Sequence, residues 1–146
     1  MDDALDFSAL VLALSGQLVQ EINTTVSQQG FADLRPAHGF AFARISAGGA
    51  TTADLAEHLG VTKQAAAQLV EELVRKGYVE RLPHPHDARA RLLALTATGW
   101  AATRAADQAA RAAVAAWREV LGETRFGELV ADLRRLAPRG PIRPAW

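Results

Sequence analysis

Thr51-Thr52-Ala53-Asp54-Leu55-Ala56-Glu57-His58-Leu59-Gly60-Val61-Thr62-Lys63-Gln64-Ala65-Ala66-Ala67-Gln68-Leu69-Val70 reads as two short helices meeting at a tight turn. The Thr51 hydroxyl can cap free N–H groups, and Asp54, three residues on, suits the positive end of a helix dipole. The helix over about 52–59 buries Leu55, Ala56 and Leu59, and Leu59-Gly60-Val61 turns the chain. Thr62 caps a second helix over about 63–76, with Ala66, Leu69, Val70, Leu73 and Val74 on its inner face and Gly77 as its stop.

Beyond Gly77 the period changes. Tyr78-Val79-Glu80-Arg81-Leu82 alternates like a strand, and Arg91-Leu92-Leu93-Ala94-Leu95 is a partner for it. The segment between them, Pro83 to Ala90, holds two prolines and cannot be helix interior, so a β-hairpin with a polar, basic tip is expected. Before the quoted stretch, Val11, Leu14, Leu18, Ile22 and Val26 form an apolar stripe on a helix over about 6–28, which Gly30 ends. Pro36 opens a short helix carrying Phe40, Phe42 and Ile45, which stops at Gly48-Gly49. After the hairpin, Thr96 caps a long Ala-rich helix to about Glu119. Gly122 breaks it, and a last helix carries Phe126, Leu129, Val130, Leu133 and Leu136. The tail from Ala137 to Trp146 is too rich in proline to continue that helix.

Two helices joined by a short turn and followed by a hairpin make a winged helix-turn-helix, in a fold that is mainly α with a small β-hairpin wing. In such a unit the second helix enters the major groove of DNA N-terminus first. Thr62, Lys63, Gln64 and Gln68 lie on the face away from the core. Lys63 suits a phosphate or guanine, Gln64 and Gln68 each suit adenine, and Ala65 and Ala67 can approach a thymine methyl. Arg89 at the hairpin tip suits a narrow minor groove, and Arg91 at the start of the returning strand joins the DNA-contacting set.

Charge distribution supports this placement better than total charge does. The 146 residues hold 16 basic and 16 acidic side chains, a net of zero. Residues 1–59 carry −5, residues 60–104 carry +3 and the remainder +2, so the quoted helices and hairpin form a locally basic stretch. Cysteine is absent, which excludes disulfides, thiolate catalysis and thiolate metal sites. An acidic start, Met1-Asp2-Asp3, argues against a secretory leader, and Gln, Glu or Arg interrupts each candidate membrane span; a cytoplasmic protein without a membrane partner is expected. No Gly-rich phosphate loop or nucleophile elbow is visible, so no enzyme and no cofactor are expected. His84, His86 and Asp87 could be read as a metal site; two solvated histidines on a wing near phosphates is the simpler reading, and no metal is expected.

The run Thr52 to Lys63, the run Leu73 to Arg81, and above all Asp87-Ala88-Arg89 followed by Leu95-Thr96-Ala97-Thr98-Gly99 resemble the MarR (multiple antibiotic resistance regulator) family. The last pair is similar to that family's wing signature, Asp-x-Arg and then Leu-Thr-x-x-Gly. The resemblance implies a single MarR-like domain over 1–146, with dimerisation helices at 1–30 and 97–137, a winged helix-turn-helix DNA-binding lobe at 36–96 and a tail at 138–146. It implies a homodimer on double-stranded DNA that reads a pseudo-palindrome, a charge pair through which Asp87 orients the wing, and Arg89 reaching DNA. It further implies a ligand-responsive repressor whose cleft takes a small aromatic or acidic ligand, with His38, Phe42, Arg44 and Trp100 as lining residues. Gln68 departs from the Arg that the family often places there, which implies a different base preference. Dimerisation also has support from the residues: Ala102, Ala105, Ala106, Ala109, Ala113 and Ala116 allow close helix approach, and the last helix has an apolar stripe that one small lobe cannot cover. The alternative weighed against DNA binding is a winged-helix protein-interaction module, for which the zero net charge speaks.

Overall fold

A computed structural model describes residues 2–139. Its elements run α1 (Asp3–Val26), α2 (Pro36–Ser46), α3 (Thr52–Leu59), α4 (Lys63–Arg75), β1 (Val79–Pro83), β2 (Arg91–Leu95), α5 (Ala97–Leu121) and α6 (Glu123–Leu136). The chain divides into two compact units, one of Asp33–Arg104 and one joining the residues up to Ala32 with Ala105–Pro138. The end of the proline-rich tail, from Gly140 on, lies outside the described residues.

In the Asp33–Arg104 unit, Thr51 and Asp54 form a reciprocal capping box at the start of α3, Thr51 Oγ1 accepting from the Asp54 N–H at 3.1 Å and Asp54 Oδ2 from the Thr51 N–H at 2.9 Å. The Thr51 hydrogen bond holds the Asp54 carboxyl below its usual range. Gly60 adopts φ 63° to reverse the chain, a conformation that a Cβ would strain. Thr62 caps α4 through its Oγ1, which accepts from the Ala65 N–H at 3.1 Å. The other end of α4 closes as a Schellman motif: the Gly77 N–H reaches the Val74 carbonyl at 3.0 Å and the Tyr78 N–H the Leu73 carbonyl at 2.9 Å. Because the Tyr78 N–H is spent on the helix, the first strand starts at Val79 rather than at Tyr78, and it extends to Pro83.

The strands pair antiparallel, Val79 opposite Leu95 and Pro83 opposite Arg91. A third contributor is absent from the sequence reading: Ala50 bridges to Leu93, accepting its N–H at 2.7 Å and donating to its carbonyl at 3.3 Å. The core of this unit consists of Phe42, Ile45, Leu55, Leu59, Val70, Leu73, Tyr78, Val79, Leu93 and Leu95, all buried. Thr96 fixes the start of α5 by donating its hydroxyl to the Gly77 carbonyl at 2.6 Å and accepting the Gly99 N–H at 3.2 Å.

In the other unit, α1 begins at Asp3 behind an Asp2 cap and passes into a π-type turn, Ser27–Phe31, where Gly30 takes φ 101°. The expectation that polar residues interrupt every candidate membrane span fails here. Asp3–Phe31 is long and apolar enough to cross a membrane by length and composition, because no charged residue occurs between Asp6 and Glu21. The stripe on α1 is graded: Val26 is buried, Leu18 and Ile22 are half-buried, and Val11 and Leu14 are exposed, as are Leu5, Phe7, Leu10 and Leu12. Leu129, Leu133 and Leu136 on α6 are exposed too, whereas Ala105 and Ala109 of α5 are buried.

Candidate nucleic-acid interface

The outer face of α4 carries every contact residue expected of it. Thr62, Lys63, Gln64, Ala65, Ala67 and Gln68 are all exposed, while Ala66, Val70 and Leu73 turn into the core. No acidic residue stands in the first turn of α4. Its positive dipole end and the free N–H groups of its first turn therefore face solvent beside the Lys63 ammonium, which makes an anion-attracting end. The two carboxylates of α4 lie in its second half and are neutralised: Glu71 is paired with Arg81, and Glu72 with Arg35 at 2.8 Å and Lys76 at 3.0 Å. The Lys76 hydrogen bond, with Arg35 and His38 nearby, holds the Glu72 carboxyl down at about 2.

The wing tip is an Asx turn. Asp87 Oδ1 accepts the Arg89 backbone N–H at 2.9 Å, and the Asp87 carbonyl accepts the Ala90 N–H at 3.2 Å. This corrects the expected charge pair, since among the described residues Asp87 forms no ion pair. The carboxylate reaches the neighbouring backbone two residues on more readily than a distant guanidinium. Its effect is to order the turn while leaving the Arg89 guanidinium unpaired and exposed, with Arg91 exposed beside it. His84 Nδ1 accepts the His86 N–H at 3.1 Å, and no group of three or more metal-ligating side chains occurs among the described residues.

Residues 32–90 match the family model described as MarR family. Over that stretch, about two fifths of the chain, the sequence is similar to the MarR family. Of the solved structures similar to it, the Mycobacterium tuberculosis protein RV1404 superposes with a TM-score of 0.76 at 26% identity, over 93% of this chain and 92% of that one. The reduced form of MarR from E. coli gives 0.72 at 26%, over 90% and 96%. A cysteine-to-serine mutant of E. coli MarR, complexed with operator DNA, gives 0.73 at 24%, over 94% and 97%, a likeness of fold. No curated protein matches the sequence significantly.

Of the four residues expected to line a ligand cleft, three are buried or engaged within this lobe. His38 is 0% exposed and Phe42 3%, and Phe42 packs against Tyr78 with ring centroids 5.7 Å apart. The Arg44 guanidinium donates to the Gly49 carbonyl at 2.9 Å and lies 3.7 Å from Asp54, so a ligand carboxylate would have to compete with both. Trp100 alone of the four is exposed, at 43%. The sequence reading missed the group that ties α4 to the chain before it. Glu72 gathers Arg35, His38 and Lys76, Lys76 Nζ also donates to the Asp33 carbonyl at 2.6 Å, and the Tyr78 hydroxyl donates to Asp33 Oδ1 at 2.7 Å. Lys76 is one helical turn from Glu72, but the Arg35–Glu72, Lys76–Asp33 and Tyr78–Asp33 pairs join residues about 40 apart in sequence, and no local spacing announces those. Burial and the Asp33 carboxylate together push the Tyr78 phenol up to about 12, so it remains a donor.

Proposed function

We propose that this chain is a sequence-specific DNA-binding transcription regulator, acting as a homodimer on a pseudo-palindromic operator in the cytoplasm and catalysing no reaction. The observation that carries the reading is the exposed, acid-free, Lys63-bearing amino end of α4 beside a wing whose Arg89 is ordered at its backbone and unpaired at its guanidinium. The operator complex of the E. coli MarR mutant supports carrying DNA binding over to this chain. Each protomer places α4 in one major groove, where Gln64 and Gln68 read base edges, and its wing at the flanking minor groove. Repression follows when the bound dimer occludes a promoter. A small aromatic or acidic ligand releases it only as far as that ligand prefers the DNA-incompetent state.

The exposed leucines of α1 and α6 support the dimer, since an apolar surface of that extent normally marks an interface. Subunit pairing would also account for the apolar composition of α1 without a membrane. Sedimentation equilibrium is expected to return twice the chain mass, and a monomer would remove the two-groove geometry.

The direct test of the DNA reading is fluorescence anisotropy against a selected duplex. Arg89→Ala is expected to weaken binding by about 1–3 kcal/mol across most sequences while leaving the melting temperature nearly unchanged, because the side chain touches no core residue. Unchanged affinity would remove the wing from the interface. Gln68→Ala is expected to cost a similar about 1–3 kcal/mol on the preferred sequence and little on others; an equal loss on every duplex would make it a backbone contact.

A further inference from the structure

His38 is the one buried polar residue of the described core, and its place is unusual. It stands at the third position of α2, where a capping box commonly has Glu or Gln. Its Nδ1 accepts the backbone N–H of the cap residue Arg35 at 2.9 Å. That bond requires a bare Nδ1, so the neutral ring carries its hydrogen on Nε2, which faces Glu72 Oε2 at 3.5 Å. One imidazole thus closes the start of α2 with one nitrogen and meets α4 with the other. Glu72 is one helical turn beyond Gln68 and two beyond Gln64 on the same side of α4, the side whose register decides how those residues face a groove.

We propose that His38 is a positioning residue for α4, holding the DNA-reading helix in register only while its ring is neutral, so that operator binding is lost on acidification. The inference rests on the DNA-binding reading above and adds a proton dependence to it. A second proton must go on Nδ1, where it turns the acceptor for the Arg35 N–H into a donor and leaves two N–H groups face to face in a buried site. The charged groups facing the ring are Arg35 at its own cap and Glu72 and Lys76 on α4; Asp33 and Tyr78, from the segments before α2 and after α4, are engaged with each other. Burial and the two cations outweigh Glu72 and keep the ring's affinity for a proton below the ordinary 6.5. The folded protein with α4 in place therefore binds fewer protons than one with the clamp open. The clamp is intact above about 6.5 and opens as pH falls through the lowered value.

The test compares the full-length wild type with His38→Gln, whose amide oxygen can accept the Arg35 N–H but takes up no proton. Anisotropy titrations against a selected duplex at constant ionic strength between pH 8 and pH 5 are expected to show nearly equal affinities at the alkaline end. The wild type is then expected to weaken by up to about a hundredfold relative to His38→Gln for each unit below the midpoint, because only dimers with both protomers competent bind and each competent fraction falls about tenfold per unit. Any effect of the other three histidines is common to both proteins and cancels. Superimposed pH profiles would overturn the proposal. Hydrogen exchange of the α4 amides in the free proteins, corrected for the intrinsic pH effect, is read in parallel. Protection lost in acid by the wild type alone supports the clamp, and equal protection refutes it. If neither protein binds any duplex at pH 8, the DNA-binding reading fails while this exchange result still decides the clamp. Should His38→Gln not fold, Glu72→Gln serves instead. It removes the carboxylate that favours the protonated ring in the closed clamp, so the acid midpoint must move to higher pH, and an unmoved midpoint overturns the proposal.

Discussion

Raising the salt concentration from about 50 to about 200 mM is expected to weaken binding of duplex DNA by about 10³-fold or more, rising toward 10⁵ if further phosphates are engaged. The low figure follows from the cations that the structure leaves available at the interface. Lys63, Arg89 and Arg91 are exposed and unpaired among the described residues, which gives about six phosphates per dimer and a log–log slope of about −5. Of the other basic side chains around α4, Arg75 is exposed and unpaired among the described residues but stands in the last turn, at the end of the helix opposite Lys63, and the rest are engaged. Arg81 is held by Glu71, Arg35 and Lys76 by Glu72, and Arg44 by Asp54 and the Gly49 carbonyl. With a net charge of zero there is no general attraction to nucleic acid, so the effect should be local and removable. Lys63→Ala and Arg89→Ala should each reduce the slope by about two per dimer. A flat salt response would mean that these cations meet no phosphates.

Gly99→Ala is expected to destabilise the lobe by about 1–3 kcal/mol or more, lowering the melting temperature by about 4 °C per kcal/mol. A Cβ built at Gly99 collides with the Tyr78 carbonyl oxygen and stands 3.2 Å from the Leu95 Cβ. The carbonyl cannot yield, because it accepts the Thr96 N–H at 3.0 Å, and Thr96 in turn is fixed to the Gly77 carbonyl at 2.6 Å. Displacing it would disturb the end of α4, the first strand and the start of α5 together. Gly39→Ala is the control in the same lobe. It is helical and exposed, and a Cβ there meets nothing within 4 Å, so it should stabilise by about 0.5–1 kcal/mol. Equal melting temperatures for the two variants would show that the contact at Gly99 is not tight.

This contact explains the Leu95-Thr96-Ala97-Thr98-Gly99 motif in physical terms. Leu95 fills the core, Thr96 caps, and Gly99 lets a carbonyl approach. The sequence displayed those residues but not the partner across the lobe. The same division runs through the whole chain. Helices with a 3.6-residue stripe and a cap, such as α3 and α4, were legible to within a residue, because period and capping are local properties. The Ala50 bridge was not, since a single paired residue has no period. Neither were Arg35 and His38 as partners of Glu72, which lie more than thirty positions away. Of the site, the exposed end of α4 was legible from the apolar face opposite it. Asp87 was assigned a side-chain partner where the backbone was nearer, and Arg44 was assigned a ligand where a neighbouring carbonyl and carboxylate already hold it. The apolarity of α1 was underestimated because two glutamines were read as interrupting a run that holds no charged residue between Asp6 and Glu21.

Acid is expected to erode stability in two steps. His38 must stay neutral when folded, so the stability it contributes is full above about 6.5 and declines as pH falls below that value. Glu72 must stay ionised, so its contribution is full above about 4.5 and is lost as pH falls toward about 2. Chemical denaturation across this range should show both, and Glu72→Gln should remove the lower one.

Selection from a random duplex pool with the full-length protein tests the groove-reading claim most directly. An inverted repeat whose half-site centres lie about 10–10.5 bp apart is the predicted outcome, the spacing at which two copies of α4 meet successive major grooves on one face of the duplex. A pool that emerges without enrichment, or enriched only for isolated single half-sites, would contradict the account.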